Sequence, residues 1–240
     1  MTDSTVKGKA MDTKRCPELA LLTSRRSFIG GSDARIIMGD DEAALLRLWR
    51  EKRGEAEPED LSGNLIVQLG LVTEPLNRIW YERNTGQAVK DVQSRVQHPV
   101  NRWMAATLDG MVEGTGAVFE AKFMLPWSFS EEAAAEKHMA QLQHNMWVTN
   151  AKAAALSIIT GGGKWVEISI PADCLYQHLL LTAEKKFWRC VESGEPPSPL
   201  WGRATTAADR SGAHRRYECI QFLGRIGGGV LPNPRGLPGT

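Results

Sequence analysis

The stretch Thr107-Leu108-Asp109-Gly110-Met111-Val112-Glu113-Gly114-Thr115-Gly116-Ala117-Val118-Phe119-Glu120-Ala121-Lys122 determines how the chain is read. From Val118 to Phe123, apolar Phe119, Ala121 and Phe123 alternate with Val118, Glu120 and Lys122. That period of two predicts a strand with one apolar and one mostly polar face. Glu120 and Lys122 then point the same way, roughly 7 Å apart along the strand. With a turn at Gly114 to Gly116 and a preceding strand over Met104 to Val112, the hairpin brings Asp109 beside that pair. Two carboxylates and an ammonium converge on one spot.

Such a cluster suits a divalent metal and phosphodiester hydrolysis. Hard Mg²⁺ or Mn²⁺ takes carboxylate oxygens plus waters, lowers the pKa of a bound water and neutralises charge on the phosphate. The lysine would hold or orient that water. The same spacing also describes a solvated, salt-bridged hairpin face, and the rest of the chain has to separate the two readings.

The 240 residues, 42% of them hydrophobic, can bury one sizeable core and carry tails. With 29 Lys and Arg against 28 Asp and Glu, the net charge of +1 marks no strongly basic protein, so a nucleic-acid surface would come from local clustering. No run of 18 apolar residues occurs, and Met1 to Arg15 lacks the apolar centre of a signal peptide. A cytoplasmic protein without membrane attachment is expected. Cys16, Cys174, Cys190 and Cys219 are scattered, without a Cys-x-x-Cys pair for zinc and at gaps far wider than an iron-sulfur cluster uses. They read as reduced thiols, with no iron-sulfur cluster.

Residues 1–22 read as a polar N-terminal arm. Near Arg25, the run Ile29-Gly30-Gly31-Ser32-Asp33-Ala34 offers Ser32 or Asp33 as the N-cap of a short helix through Met38, either a plain capped turn or an anion site. A helix over Asp40 to Arg53 carries Leu45, Leu46 and Trp49. A second covers about Thr73 to Asn84 with Leu76, Ile79 and Trp80 as its apolar stripe; Pro75 fits its first turn or kinks a helix that began nearer Leu65. Glu74 at that first turn favours the helix dipole in the plainest reading. Val89 to Val96, Met104 to Val112 and Ala117 to Phe123 then read as three consecutive antiparallel strands. The next helix, Ala133 to Thr149, buries Ala135, Met139, Leu142 and Met146 and turns His138, Gln141 and Asn145 to a separate polar face. Strands over Ala154 to Ile159 and Lys164 to Ile170 follow. A helix then runs to about Val191 with Leu175, Leu179, Thr182, Phe187 and Cys190 roughly on one side. Residues 199–240, rich in Gly, Pro and Arg, read as a basic tail expected to be disordered.

Taken together, Ile29–Ala34, Gly70-Leu71-Val72-Thr73-Glu74-Pro75, Leu108-Asp109-Gly110, Glu120-Ala121-Lys122 and Met139-Ala140-Gln141-Leu142-Gln143-His144-Asn145-Met146-Trp147-Val148-Thr149 resemble, in order, the lambda exonuclease/YqaJ viral recombinase family of the PD-(D/E)XK nucleases. The resemblance covers roughly Arg25 to Pro197. It implies an α/β fold of restriction-endonuclease type, a central mixed sheet flanked by helices, with residues 23–198 as the nuclease domain. By the same resemblance Asp109, Glu120 and the backbone carbonyl of Ala121 bind the metal. Lys122 positions the attacking water, Gln141 supports lysine or water, and Glu74 completes the acidic site. Arg25 and Ser32 match positions that hold a terminal 5′-phosphate. The implied activity is Mg²⁺-dependent, with Mn²⁺ as a substitute: 5′-to-3′ digestion of double-stranded DNA ends for phage-type recombination, in a bacterial, phage or prophage-encoded protein. A single-strand annealing protein is the implied partner and a ring of three subunits the implied assembly. An endonuclease or single-strand nuclease on the same core, or a non-catalytic DNA-end-binding protein, are the alternatives. Retention of Asp109, Glu120 and Lys122 argues against the last of these.

Overall fold

The hairpin around Gly114 forms, and a parallel neighbour extends it into a sheet. The computed structural model describes residues 25–198, so the expected arm (1–22), the basic tail (199–240), Cys16 and Cys219 lie outside the described residues. In chain order the elements are α1 (Gly31–Ile37), α2 (Glu42–Arg53), α3 (Leu65–Thr85), β1 (Val89–Lys90), β2 (Arg95–Gln97), β3 (Ala105–Thr107), β4 (Gly110–Val112) and β5 (Val118–Met124). After them come a 3₁₀ turn (Pro126–Ser128), α4 (Glu131–Thr149), β6 (Ala153–Thr160), β7 (Trp165–Pro171) and α5 (Cys174–Ser193). The main sheet has the order β1-β4-β5-β6-β7; β5 and β6 are parallel and the other pairs antiparallel. It is a mixed sheet with flanking helices, and α4 supplies the crossover that a parallel pair requires.

The two strands expected over Val89 to Val96 and Met104 to Val112 are each broken. β1 and β2 are separated by Asp91 and Gln93, both at positive φ, while β3 and β4 part at Leu108-Asp109. The outer halves, β2 and β3, pair apart from the main sheet. The inner halves stay in it, and the register Gly110 to Phe119 leaves Asp109 one position past the last ladder pair, level with Glu120. Gly110 is needed there because a Cβ would lie 2.2 Å from Val89 Cγ1.

Both faces of the sheet are covered, so β5 has no solvated polar side: Val118 to Ala121 are all buried. On one face Val118, Met124, Leu156 and Ile158 pack with Leu142 and Met146 of α4. On the other, Phe119, Ala121 and Ala155 pack with Tyr81 of α3. The expected stripe Leu76, Ile79, Trp80 is instead exposed, and the residues α3 buries are Asn77 and Tyr81. Asn77 explains the difference. Its amide donates to the Lys122 and Ser157 carbonyls, and its own oxygen accepts from Ser157 Oγ at 2.6 Å. That lattice turns the Asn77/Tyr81 side of the helix to the sheet. Helix α3 starts at Leu65, capped by the Asn64 side chain, with Pro75 inside it; Glu74 therefore sits mid-helix, away from the dipole end.

Helix α1 begins two residues earlier than expected. Gly30 is its N-cap, and Asp33 is the third helical residue, accepting the Gly30 N–H at 2.8 Å. Ser130 caps α4 and moves its start to Glu131. In α5 the buried side is Tyr176, Leu180, Ala183 and Phe187, whereas Leu175 and Thr182 face outward. Asp173 caps this helix at Leu175 and Tyr176 and sets that rotation.

A buried ion pair ties three elements together. His144 of α4 meets Glu184 of α5 at 2.8 Å through Nδ1 and the Ala105 carbonyl of β3 at 3.0 Å through Nε2, with neither side chain exposed. Burial opposes the charge on His144, but Glu184 and the Ala105 carbonyl outweigh it and hold the imidazolium pKa above its ordinary value. A histidine raised on folding contributes stability that is complete below its unfolded pKa and lost as pH rises through the folded one. Glu184→Ala, which leaves a buried cation unpaired, is expected to cost about 3–5 kcal/mol at pH 6. The penalty should shrink as pH rises through the folded pKa, and urea unfolding over an alkaline pH series measures it. A penalty that stays constant from pH 6 throughout the series would count against a charged His144.

Candidate active site

Glu120 is buried between β5 and α4, with 1% of the residue exposed. Its Oε1 accepts from Lys122 Nζ and from Gln141 Nε2, both at 2.5 Å, and its Oε2 accepts from Asn145 Nδ2 at 3.2 Å. Gln141 and Asn145 lie four apart on α4 and so share one face. Asp109, level with Glu120, accepts the Ala121 N–H through Oδ2 at 2.9 Å. Glu74 of α3 accepts from Gln93 Nε2 at 2.5 Å and is close enough to Asp109 and Lys122 for their charges to act on it. The structure thus gathers Asp109, Glu120, Ala121, Lys122 and Gln141, with Glu74 approaching from the other face.

Burial raises all three carboxyl groups above their usual range. Glu120 is pushed up to about 7, by desolvation first, against the pull of Lys122 and with a further push from Asp109 and Glu74. Asp109 is raised by burial, against Lys122 and the Ala121 N–H; Glu74 is raised by burial and then by Asp109. For Lys122, desolvation works against the charge, yet Glu120 and Asp109 prevail and its pKa is raised. Mutually repelling carboxylates of this kind are relieved by a cation.

The donor set fits a hard divalent ion. Oε1 of Glu120 has both lone pairs engaged, but Oε2 keeps one, and Asp109 Oδ1 accepts nothing among the described residues. Among the described residues no three His, Cys, Asp or Glu come together as a metal cage. A pair of carboxylates with a backbone carbonyl and waters is the habit of Mg²⁺ rather than of zinc.

Arg25 and Ser32 are both exposed, on the chain leading into α1 and on α1 itself. The Lys52 ammonium fixes this entrance, donating to the Arg25 and Phe28 carbonyls at 2.9 and 2.7 Å and to Asp33 Oδ2 at 2.6 Å. Arg26 pairs with Glu57 at 2.7 Å, and among the described residues no such bridge engages Arg25. Three contributors escape a sequence reading. His138 and Asn145 do not face solvent as the polar stripe suggests; both are buried, because α1 packs on that stripe. Gly31 allows the approach: a Cβ there would lie 2.5 Å from Asn145 Oδ1. Asn77 is the third. The signal was present in the 138, 141, 145 spacing and in one Asn on the face of Tyr81.

The sequence profile of the YqaJ-like viral recombinase domain matches residues 21–152, more than half of the chain. The chain belongs to that family. A curated relative, the uncharacterized protein YqaJ of Bacillus subtilis (strain 168), is 29% identical over 184 residues, which are 74% of this chain and 57% of that protein. The chain therefore spans little more than half the length of this relative. Among solved structures, the alkaline exonuclease LHK-Exo from Laribacter hongkongensis superimposes with a TM-score of 0.58 at 17% identity, over 73% of this chain and 93% of that one. LHK-Exo in complex with dAMP gives 0.60 at 18% identity, over 72% and 92%. A phage-related exonuclease from Haemophilus somnus 129PT gives 0.54 at 14%, over 70% and 96%. At such identities the likeness is one of fold, the PD-(D/E)XK fold of these alkaline exonucleases. Family and fold together support a nuclease. No described helix is long and apolar enough to cross a membrane.

Because its folded pKa is raised, Glu120 stabilises the protein least when ionised: stability falls as pH rises from about 4.5 toward about 7. Glu120→Gln is therefore expected to raise metal-free stability at pH 8 by on the order of 2 kcal/mol. Mg²⁺ should raise the melting temperature of the wild type by mass action and leave Glu120→Gln and Asp109→Asn unmoved. Undiminished Mg²⁺ stabilisation of both variants would remove these carboxylates from the metal site.

Proposed function

We propose that the chain is a metal-dependent deoxyribonuclease that digests double-stranded DNA from its ends, 5′ to 3′, in phage-type homologous recombination. The single observation that carries this reading is the buried Glu120, held by Lys122, Gln141 and Asn145 level with Asp109. A solvated salt-bridged hairpin would show no such enclosure. The family and the exonuclease fold add to it, as does the capture of one neighbour with dAMP, a deoxynucleoside monophosphate of the kind that exonuclease action on DNA releases.

In this reading residues 23–198 form the nuclease domain. Asp109, Glu120 and the Ala121 carbonyl would hold Mg²⁺, or Mn²⁺ in its place, with Glu74 beside them. Once bound, the ion supplies Lewis-acid activation of water and charge neutralisation at the scissile phosphate. Lys122 holds its proton across the neutral range and orients the attacking water, while Gln141 fixes the rotamer of the Lys122–Glu120 pair. Asn145 holds the second carboxylate oxygen. Burial between α4 and the sheet keeps these groups from rearranging during reaction. Arg25, whose backbone Lys52 anchors, and Ser32 would receive the terminal 5′-phosphate of the strand being digested. A single-strand annealing protein as partner and a ring of three subunits are what the family resemblance implies.

Release of label from 5′-labelled and 3′-labelled linear duplex, beside a closed circle and with or without Mg²⁺, tests the reading. Expected are Mg²⁺-dependent loss from the 5′ end and an intact circle. Lys122→Ala should lower turnover by about 10² to 10⁴ with DNA affinity nearly unchanged; turnover within threefold of wild type would remove the lysine from the mechanism.

The end pocket makes a separate claim. Arg25→Ala should slow digestion of 5′-phosphorylated duplex roughly tenfold and scarcely affect 5′-hydroxyl ends, with Ser32→Ala weaker in the same direction. Competition between the two substrates reads the ratio directly. Equal cutting of both ends by the wild type would dispose of the pocket, and nicking of the circle would favour an endonuclease.

A further inference from the structure

Helix α3 carries an apolar face that the described residues leave uncovered. Leu65, Leu69, Val72, Leu76 and Ile79 recur at alternating steps of four and three, the spacing of a seam along which helices pair. Val72 is 75% exposed and Leu65 69%; Leu76 and Ile79 are exposed too, and Leu69 is half-buried. Exposed Trp80 widens the seam on one side. No residue from Leu65 to Leu76 is buried, and the two that α3 does bury, Asn77 and Tyr81, turn away from the seam. A contiguous exposed apolar face of this kind marks an interaction site.

The chemistry of the face selects a protein over a nucleic acid. None of the five seam residues is charged, whereas a DNA backbone is met by Lys and Arg. Glu74 stands two residues from both Val72 and Leu76, hence on the opposite side of the helix. A partner on the seam therefore leaves the acidic group open.

The seam is also close to its own complement. Leu65 and Ile79 each lie seven residues from Val72, while Leu69 and Leu76 lie three and four away, so the pattern reads nearly the same in both directions. Turned end for end about Val72, a second α3 presents Ile79 against Leu65 and Leu76 beside Leu69, over roughly 20 Å of helix. The ends match in charge. Asp60 accepts the Ser62 N–H at 2.9 Å just before the helix, and Arg83 lies in its last turn over the Trp80 ring at 5.8 Å. Twelve residues before Val72 and eleven after it, these two come level in the antiparallel arrangement, and a two-fold axis makes the contact twice.

We propose that α3 is the contact surface for a second copy of this chain, two α3 helices packing antiparallel about a two-fold axis at Val72. The contact sets like surface on like, whereas a ring of three joins unlike surfaces. It uses none of the residues of the acidic group and stands apart from the nuclease reading.

Sedimentation velocity of the full chain over a concentration series tests the pairing. The wild type is expected to reach twice the 26.5 kDa of the single chain. Val72→Glu and Val72→Lys each set like charges against one another on the axis and should weaken self-association about a hundredfold. Mixed in equal amounts, the two variants should pair again, because the two-fold then sets a carboxylate against an ammonium. Val72 is exposed, so circular dichroism should show unchanged helix content in both. A wild type that stays monomeric at every concentration overturns the pairing and leaves the seam to a different protein. An assembly whose mass Val72→Glu leaves unchanged, a ring of three included, overturns it as well, and so does a mixture that fails to pair.

Discussion

The carboxylate of Glu120 cannot be ionised inside this fold unless its oxygens are met, and most of the architecture follows from meeting them. Lys122 does so from the same strand, but Gln141 and Asn145 come from α4, the crossover that also makes β5 and β6 parallel. Burying a charge without partners costs several kcal/mol per ion, of order a whole domain's net stability. The connection that closes the sheet and the groups that hold the charge are therefore one helix, and loosening either loosens the other.

Helix α4 can serve both purposes only because α1 presses on its polar stripe. Gly31 gives the close approach to Asn145 and Gln141. On the far side, His144 ties α4 to Glu184 of α5 and to β3, so rotation of α4 about its axis would break a buried ion pair as well as the Gln141 contact. Helix α3 is fixed by a different device. Asn77 binds the Lys122 and Ser157 carbonyls across the parallel pair, which holds Glu74, one turn earlier, at the opposite side of the acidic group. The exposed Leu76, Ile79 and Trp80 are a consequence of that polar anchoring.

Much of this was legible from residue pattern alone. The period of two from Val118 to Phe123 located β5, and the hairpin it implied brought Asp109 beside Glu120 and Lys122. What the pattern could not show was burial on both faces. A strand alternating Glu and Lys with Phe and Ala looks half solvated, yet it is central in a sheet covered by α3 and α4. The same limit applies to His138 and Asn145, which look like an outer stripe until α1, seven residues long, covers them. Strand breaks at Asp91, Gln93 and Leu108-Asp109 were hidden because β propensity is averaged over neighbours, while a positive φ at a non-Gly residue is a tertiary outcome.

The break at Leu108-Asp109 shows how these constraints act together. Were β3 and β4 one continuous strand, Asp109 would sit in the ladder opposite Glu120 and the Leu108 carbonyl would take the Ala121 N–H. Instead the ladder ends at Gly110, and the Asp109 carboxylate takes the Ala121 N–H. A side chain thus replaces a backbone acceptor at the one position where the sheet must open. The opening lets a second carboxylate face Glu120 without leaving a buried N–H unpaired. In an unbroken hairpin the two acidic side chains would still stand opposite each other, but the Ala121 N–H would go to the backbone and none would be left to hold the Asp109 carboxylate.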